Sequence, residues 1–135
     1  MSTVSTARRV FISHSHQDNE LVRDIARRLR DAGFETFVDF EPIASGEEFR
    51  RQVRERLSQS SVILILLTPA SLRSPWIMTE LGMAEALGRQ VLPVTVGISN
   101  RNLPEPLKAV KTVPFDRLDQ AIRKLSAQSV EDRDE

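Results

Sequence analysis

The chain has 135 residues, enough for one domain with a buried core, and its 40 % apolar and 28 % charged residues are ordinary for a globular protein. Its 19 basic and 19 acidic residues cancel, so net charge gives no reason to expect nucleic acid or an anionic membrane as a partner. The absence of cysteine excludes disulfides, thiolate metal ligands and a cysteine nucleophile.

The sequence also gives no indication of membrane association or of metal binding. No run of about 18 apolar residues is present, and the first residues lack the apolar segment of a secretory signal, so we expect a cytoplasmic protein that neither spans nor binds a membrane. The two histidines, His14 and His16, are too few for a three-histidine centre, and we expect no metal site.

Five segments have the composition of β-strands. The run VILILLT at 62–68 is continuously apolar, as in a central strand covered on both faces. The other four are RRVFISH at 8–14, FETFVDF at 34–40, QVLPVTV at 90–96 and KTVPFD at 111–116. The proline in the last segment favours the edge of a sheet.

We expect one domain at 8–127, with polar tails at 1–7 and 128–135. Four segments of this domain have the spacing of apolar residues that is typical of helices. The helices are predicted at 18–32 with Asp18 as cap and Gly33 as stop, at about 46–58 after a capping box of Ser45 and Glu48, at 74–88, and from about 116 to 127. The exposed arginines of the second helix indicate either a solvated face or an oligomer contact. The stretch 97–110 is long for a loop and predicts either a functional segment or a short helix.

This alternation of strands and helices predicts an α/β fold, namely a flavodoxin-like three-layer domain with a five-stranded parallel sheet and helices on both faces. Ligands of such sheets bind outside the carboxyl ends of the strands. The loops at 13–18, 39–46 and 68–76 should therefore surround one crevice. No glycine-rich phosphate loop, acidic receiver cluster or G-x-S-x-G elbow occurs at these places.

The polar residues of the three loops are the candidates for a site. They are Ser13, His14, Ser15 and His16 after the first strand, Asp39 after the second, and Thr68 and Ser71 after the third. Each of these residues, taken alone, has an ordinary structural explanation, because such residues commonly stabilise turns or cap helices. Their shared location favours a common function.

The predicted helix at 74–88 raises a separate question, because Trp76 and Glu80 lie one turn apart on the same face. A second stripe, formed by Ile77, Leu81 and Ala84, already suffices to bury the helix. Either the tryptophan is a packing residue beside an exposed Glu80 that pairs with Arg73 or Arg89, or it shapes a pocket around a functional carboxylate.

Three segments resemble the signature boxes of Toll/interleukin-1 receptor (TIR) domains, especially bacterial ones. They are RRVFISHSHQD, FVDFEPIASGEEF and VILILLTPASLRSPWIMTEL, which follow one another in the family's order between about residues 9 and 127. The third box, with S-x-W-x-x-x-E-L after a strand, is the most specific. His14 departs from the first box, where an aromatic residue is usual. The resemblance implies a flavodoxin-like five-stranded fold.

The resemblance also implies an activity. Many bacterial members cleave NAD+ to nicotinamide and ADP-ribose or a cyclic isomer, with NAD+ as substrate and no other cofactor, and their required glutamate corresponds to Glu80. The residues that the resemblance and the crevice together assign to substrate binding are Ser13, His14, Ser15, His16, Asp39, Ile43, Phe49, Ser71 and Trp76. The chemistry fits one carboxylate, because nicotinamide leaves as a neutral molecule and only the positive charge on the ribose needs stabilisation.

The same resemblance implies self-association. The loop after the second strand gates the pocket and mediates assembly in this family, and its corresponding residues are Phe40, Pro42, Ile43 and Gly46. A second chain often completes the site, so we expect a homo-oligomer or filament with a role such as bacterial immunity, virulence or other signalling. Two alternatives stay open: a TIR domain that only binds other TIR domains, and an enzyme similar to nucleoside 2-deoxyribosyltransferases.

Overall fold

The computed structural model describes residues 8–38, 47–73, 75–103, 105–108 and 110–134. The strands within these ranges are β1 (Arg9–Ser13), β2 (Glu35–Val38), β3 (Val62–Leu67), β4 (Gln90–Thr95) and β5 (Val113–Pro114). The α-helices are α1 (Asn19–Asp31), α2 (Glu47–Ser58), α3 (Pro69–Leu72), α4 (Pro75–Ala86), α5 (Glu105–Lys108) and α6 (Leu118–Asp134). Short 3-10 turns lie at His16–Asp18, Asn100–Asn102 and Phe115–Arg117.

The five strands form one parallel sheet in the order β2-β1-β3-β4-β5, which confirms the predicted flavodoxin-like topology. β3 is central, and all six of its residues have no exposed surface. Ser13 at the end of β1 lies beside Ile65 of β3. The carboxyl ends of these two neighbouring strands therefore lie at the same edge of the sheet.

Helices cover both faces of the sheet, as predicted. Val10 and Ile12 of β1 point to the face that α1 and α6 bury, whereas Phe11 points to the face that α2 and α4 bury. This alternation follows from the two-residue period of a strand. Each face therefore has its own apolar core, and the candidate site belongs to the face with α4.

The helix limits depart from the sequence predictions at several places. The helix predicted from residue 18 begins as a 3-10 turn, and Asp18 precedes α1 without making a side-chain cap hydrogen bond. The last helix does not end near residue 127 but continues to Asp134, because residues 118–134 contain no glycine or proline. The sequence also missed α3 in the predicted loop at 68–76, while the stretch at 97–110 does contain a short helix, α5.

The predicted helix stop at Gly33 and the predicted edge strand are confirmed. Gly33 and Gly88 have φ of 96° and 68°, the left-handed conformation that ends a helix and that glycine adopts without strain. β5 has two residues, and its pairing partners among the described residues are Val94 and Thr95, consistent with a proline that cannot donate to a ladder. Within the described residues, no helix is both long and apolar enough to cross a membrane.

Candidate functional site

Ser13 is the β1 residue that enters the candidate site. It lies two positions after Phe11, so its side chain is on the same face of the sheet, toward α2 and α4. The residue has no exposed surface. A polar side chain in such a place requires a hydrogen-bond partner, since burying a hydroxyl without one costs about 1–3 kcal/mol.

The partner of Ser13 is Glu80, in the middle of α4. The Ser13 hydroxyl Oγ donates to Oε1 of Glu80 at 2.5 Å, and Glu80 has no exposed surface. Leu81 and Ala84, from the predicted burial stripe, hold α4 on the sheet beside this pair. The hypothesis that Glu80 is an exposed helix residue is therefore wrong.

Two apolar residues follow Glu80 along α4 and its end. Met83 and Leu87 are partly buried and pack against the core of this face. Of the two arginines considered as partners, Arg73 is exposed, and Arg89 donates from Nη2 to the Ser58 carbonyl at 2.8 Å. Removing a carboxylate from water strengthens its interaction with any positive charge that develops nearby.

His14 lies directly after Ser13 and is 7 % exposed. Its Nδ1 is 2.8 Å from the carbonyl oxygen of Ser15. A carbonyl oxygen only accepts, so Nδ1 carries a proton, and in that tautomer of the imidazole Nε2 is the acceptor. Nε2 is buried and has no hydrogen-bond partner among the described residues. The imidazole therefore holds a hydrogen-bond acceptor that the rest of the described fold does not use.

The next two predicted residues are less enclosed. Ser15 is partly buried, and its hydroxyl accepts from the Gln17 backbone N–H at 3.3 Å, which caps the following 3-10 turn. His16 begins that turn and is exposed. The structure thus brings Ser13, His14 and Ser15 to the carboxyl end of β1 and leaves His16 at the surface.

A second hydrogen-bond network connects the loops after β1 and β3. Thr68 donates from Oγ1 to Oδ2 of Asp18 at 2.7 Å. The same Oγ1 accepts from the Ser71 N–H at 3.1 Å, and the Thr68 N–H donates to Ser71 Oγ at 2.9 Å, which together form a capping box for α3. Ser71 is fully buried, with its hydroxyl engaged in this cap.

Sequence reasoning missed the role of Asp18, which it treated as the cap of the first helix. The available signal was the T-P-A-S segment after β3, because Thr followed by Ser three positions later, with an intervening Pro, is a pattern that starts a helix. As a helix cap, the Thr68 hydroxyl accepts a hydrogen bond through its oxygen. Its proton can therefore be donated to a nearby carboxylate, which in this structure is Asp18. The network fixes α3, which precedes and contacts α4.

Several predicted residues lie outside the described part of the chain. These are Asp39, Phe40, Pro42, Ile43, Ser45, Gly46 and Ser74. The side chains of Phe49 and Trp76 are likewise not described, although Phe49 lies in α2 and Trp76 in the first turn of α4. Their roles stay predictions. Among the described residues, no three carboxylate or imidazole groups come together as metal ligands would.

The comparisons with known proteins place the chain among TIR domains. The model of the TIR domain family matches residues 10–126. The 2' cyclic ADP-D-ribose synthase BtTIR of Bacteroides thetaiotaomicron is 32 % identical over 72 residues, 53 % of this chain and 25 % of that protein. The NAD(+) hydrolase PdTIR of Paracoccus denitrificans is 30 % identical over 90 residues, 63 % of this chain and 30 % of that protein.

The chain therefore spans about a quarter to a third of the length of these two curated relatives. Among solved structures, the TIR domain of the Toll-related receptor TRR-2 from Hydra magnipapillata superposes with a TM-score of 0.66 at 18 % identity, covering 92 % of this chain and 95 % of that one. This likeness agrees with the parallel sheet described above and shows the fold.

Proposed function

Because this chain belongs to the TIR domain family, we propose that it cleaves NAD+ between the nicotinamide and the ribose, with Glu80 as the catalytic carboxylate. The observation that carries the proposal is the buried hydrogen bond between Ser13 and Glu80 at the carboxyl end of the sheet. The names of the two bacterial relatives, a cyclic ADP-ribose synthase and an NAD+ hydrolase, support the same reaction class.

The proposed step needs little acid–base chemistry. The bond between C1' of the ribose and the pyridinium nitrogen breaks, and its electron pair stays with nitrogen, so nicotinamide leaves neutral. The ribose acquires positive charge, which a carboxylate stabilises by Coulombic attraction and through hydrogen bonds to the ribose hydroxyls. This attraction is strong where water is excluded, as it is around Glu80.

Ser13 has a positioning role in this proposal. Its hydroxyl donates to one oxygen of Glu80, which fixes the orientation of the carboxylate relative to the ribose. A carboxylate that is already oriented loses less conformational freedom when the transition state forms. The hydrogen bond therefore contributes to the rate without Ser13 reacting itself.

The second half of the reaction decides the product. Water adding to C1' and losing a proton gives ADP-ribose, whereas a hydroxyl of the same molecule adding to C1' and losing its proton gives a cyclic isomer. Neither route requires a metal or a further cofactor, because the leaving group is neutral. We propose NAD+ as the substrate, with either ADP-ribose or a cyclic isomer of it as the product.

Assembly is the second part of the proposal. Residues 39–46 correspond to the loop through which TIR domains associate, and we propose that a second copy of this chain completes the site. The exposed face of α2, with Arg51, Arg54 and Arg56 at its surface, is available for such a contact.

The proposal is tested by incubating concentrated protein with NAD+ and measuring nicotinamide by chromatography. Glu80→Gln keeps the shape of the side chain and should abolish nicotinamide release. Glu85→Gln removes the same charge from an exposed position of the same helix and should retain full release. Circular dichroism of both variants checks that each is folded.

The outcomes separate the candidate functions. Equal release from the Glu80 and Glu85 variants would mean that another residue carries the reaction. Concentration-dependent association without nicotinamide release, even on a scaffold that crowds the protein, would favour a TIR domain that only binds other TIR domains. Turnover of deoxynucleosides but not NAD+ would favour the deoxyribosyltransferase-like alternative. Chromatography of the adenine-containing product distinguishes hydrolysis from cyclisation.

A further inference from the structure

A groove of about 300 Å³ lies at the β5 edge of the sheet, away from the candidate NAD+ site. β5 pairs only with Val94 and Thr95, and among the described residues no strand borders Gln90–Pro93 on that side. The segment at 111–114 and one face of α6 form the other walls. None of its described lining residues belongs to the site at Ser13 and Glu80.

The charged side chains that line this groove are all basic. They are Lys111, Arg117 and Lys124, each exposed, and none of them takes part in an ion pair among the described residues. The described lining contains no acidic residue. In a chain whose formal charges cancel to zero, three cations that have no ion-pair partner in the described part of the structure thus surround one concave surface.

The periodicity of α6 explains this separation of charge. Arg117, in the 3-10 turn that leads into α6, and Lys124, two turns further on, both line the groove, whereas Asp119 accepts from Arg28 Nη1 at 3.2 Å. The acidic residue of this part of α6 is therefore paired with α1. The groove side of the helix keeps its positive charge.

The rest of the groove is suited to an organic molecule. Leu92, Val113 and Leu125 supply apolar surface, and Gln90, Gln120 and Gln128 supply amide groups that both donate and accept. Small-molecule sites typically occupy about 300–1,000 Å³ and combine apolar walls with a few polar groups. The groove is at the small end of that range.

From this arrangement we infer that the groove binds a small organic phosphate carrying two or more negative charges, at a site separate from the catalytic one. The cations hold the phosphate groups, and the apolar wall and the amides contact the organic part. This inference does not depend on NAD+ cleavage, and it assigns a ligand class to residues that the proposed reaction does not use.

ADP is the probe for the test, with inorganic pyrophosphate as the probe that lacks the organic part. Isothermal titration of the whole chain should show saturable ADP binding that weakens as salt is raised, because exposed charge pairs are screened. Lys124→Gln and Lys111→Gln should each weaken ADP binding about fivefold, as expected for removal of one exposed cation. Pyrophosphate should bind more weakly than ADP.

Arg123→Gln is the matched control, since Arg123 is an exposed cation next to Lys124 on α6 that does not line the groove. Equal weakening by Arg123→Gln and Lys124→Gln would overturn the inference, as general surface charge would explain the binding. ADP binding that survives in both lysine variants would place the ligand elsewhere and also overturn it.

Two further results would count against the inference. If pyrophosphate bound as tightly as ADP, the organic part of ADP would contribute nothing to binding, and the inference that the groove binds an organic phosphate would be wrong. Absence of binding by both probes, with a change in sedimentation of the concentrated Lys124→Gln variant, would identify the groove as a contact between copies of the chain.

Discussion

At the scale of single residues, the hydrogen bond between Ser13 and Glu80 is the feature with the most direct functional consequence. Both side chains are fully buried, and they come from positions 67 residues apart in the chain. The pair therefore exists only in the folded protein. Its removal should affect both stability and the proposed reaction.

We predict that Ser13→Ala lowers kcat for NAD+ cleavage about tenfold, which corresponds to about 1.4 kcal/mol of lost transition-state stabilisation. KM should change less than kcat, because the hydroxyl orients Glu80 rather than the substrate. Steady-state nicotinamide release measures both constants. Ser60→Ala, which removes the hydroxyl of another buried serine, after α2, that donates to the Arg56 carbonyl, is the control and should change kcat less.

His14 permits a prediction in which stability and activity change in opposite directions. Its buried Nε2 has no described partner, and a buried acceptor without a hydrogen bond costs about 1–3 kcal/mol. His14→Phe restores the aromatic residue usual in the family and should raise the free energy of unfolding by about 1 kcal/mol, after loss of the bond to Ser15 is subtracted.

Urea unfolding measures that change, and NAD+ cleavage is measured on the same variant. We expect slower cleavage, because phenylalanine cannot accept a hydrogen bond from a ribose hydroxyl. A loss of stability of similar size would show that Nε2 is already hydrogen-bonded in solution. Unchanged cleavage would show that the imidazole does not touch the substrate.

At the scale of secondary-structure elements, α3 is held by the network of Thr68, Ser71 and Asp18. We predict that Thr68→Val, which preserves side-chain shape, lowers the free energy of unfolding by about 1–2 kcal/mol, since it removes a helix cap and a hydrogen bond to a carboxylate. Because α3 contacts α4, cleavage should also fall.

Asp18→Asn is the matched variant for this network. Its side chain keeps an oxygen that accepts from Thr68 but loses the charge, so denaturant unfolding should show a smaller loss than for Thr68→Val. Equal losses would mean that the interaction with Asp18 carries the effect and that the α3 cap contributes little.

The elements also show what sequence patterns can and cannot predict. The apolar run of β3 and Gly33 after α1 are local signals, and they placed the strand and the end of α1 correctly, whereas α4, predicted to reach residue 88, ends at Ala86. The direction of the Asp18 side chain is not a local property, because its partner Thr68 is 50 residues away. Helix α6 extends further than predicted, because the polar residues at its end have the composition expected of a tail. Polar residues are compatible with a helix when no glycine or proline interrupts them.

The candidate site divides in the same way. The sequence predicted that Ser13 belongs to the site from its place at a strand end, whereas the helix spacing left the role of Glu80 open and the resemblance to TIR domains assigned it to the site. Their direct contact was not predictable, because it depends on the position of α4 over the carboxyl end of β1. The burial of Glu80 was not predictable either. Glutamate is usually exposed, and its position on the helix is also compatible with a solvent-exposed face.

At the scale of the whole molecule, the strand order was predictable because short connections and right-handed crossovers leave few arrangements of five parallel strands. Assembly is not encoded in such local rules. If a second chain completes the site as we propose, nicotinamide release per chain should rise with protein concentration and level off when association is complete.

Analytical ultracentrifugation over the same concentrations provides the comparison. The midpoint of the rise in release per chain should coincide with the midpoint of association. Constant release per chain across a range in which the protein passes from monomer to oligomer would show that one chain contains the whole site.

The burial of Glu80 has a kinetic consequence for any molecule that must reach it. A side chain with no exposed surface is inaccessible to NAD+ in the described conformation. If Glu80 cleaves NAD+ as we propose, each turnover must therefore begin with an opening of the protein that exposes this side chain. The apparent dissociation constant then equals the intrinsic one divided by the open fraction, and an open population of about 1 % would weaken apparent affinity about a hundredfold. Anything that favours the open form, without touching NAD+, would therefore act as an activator.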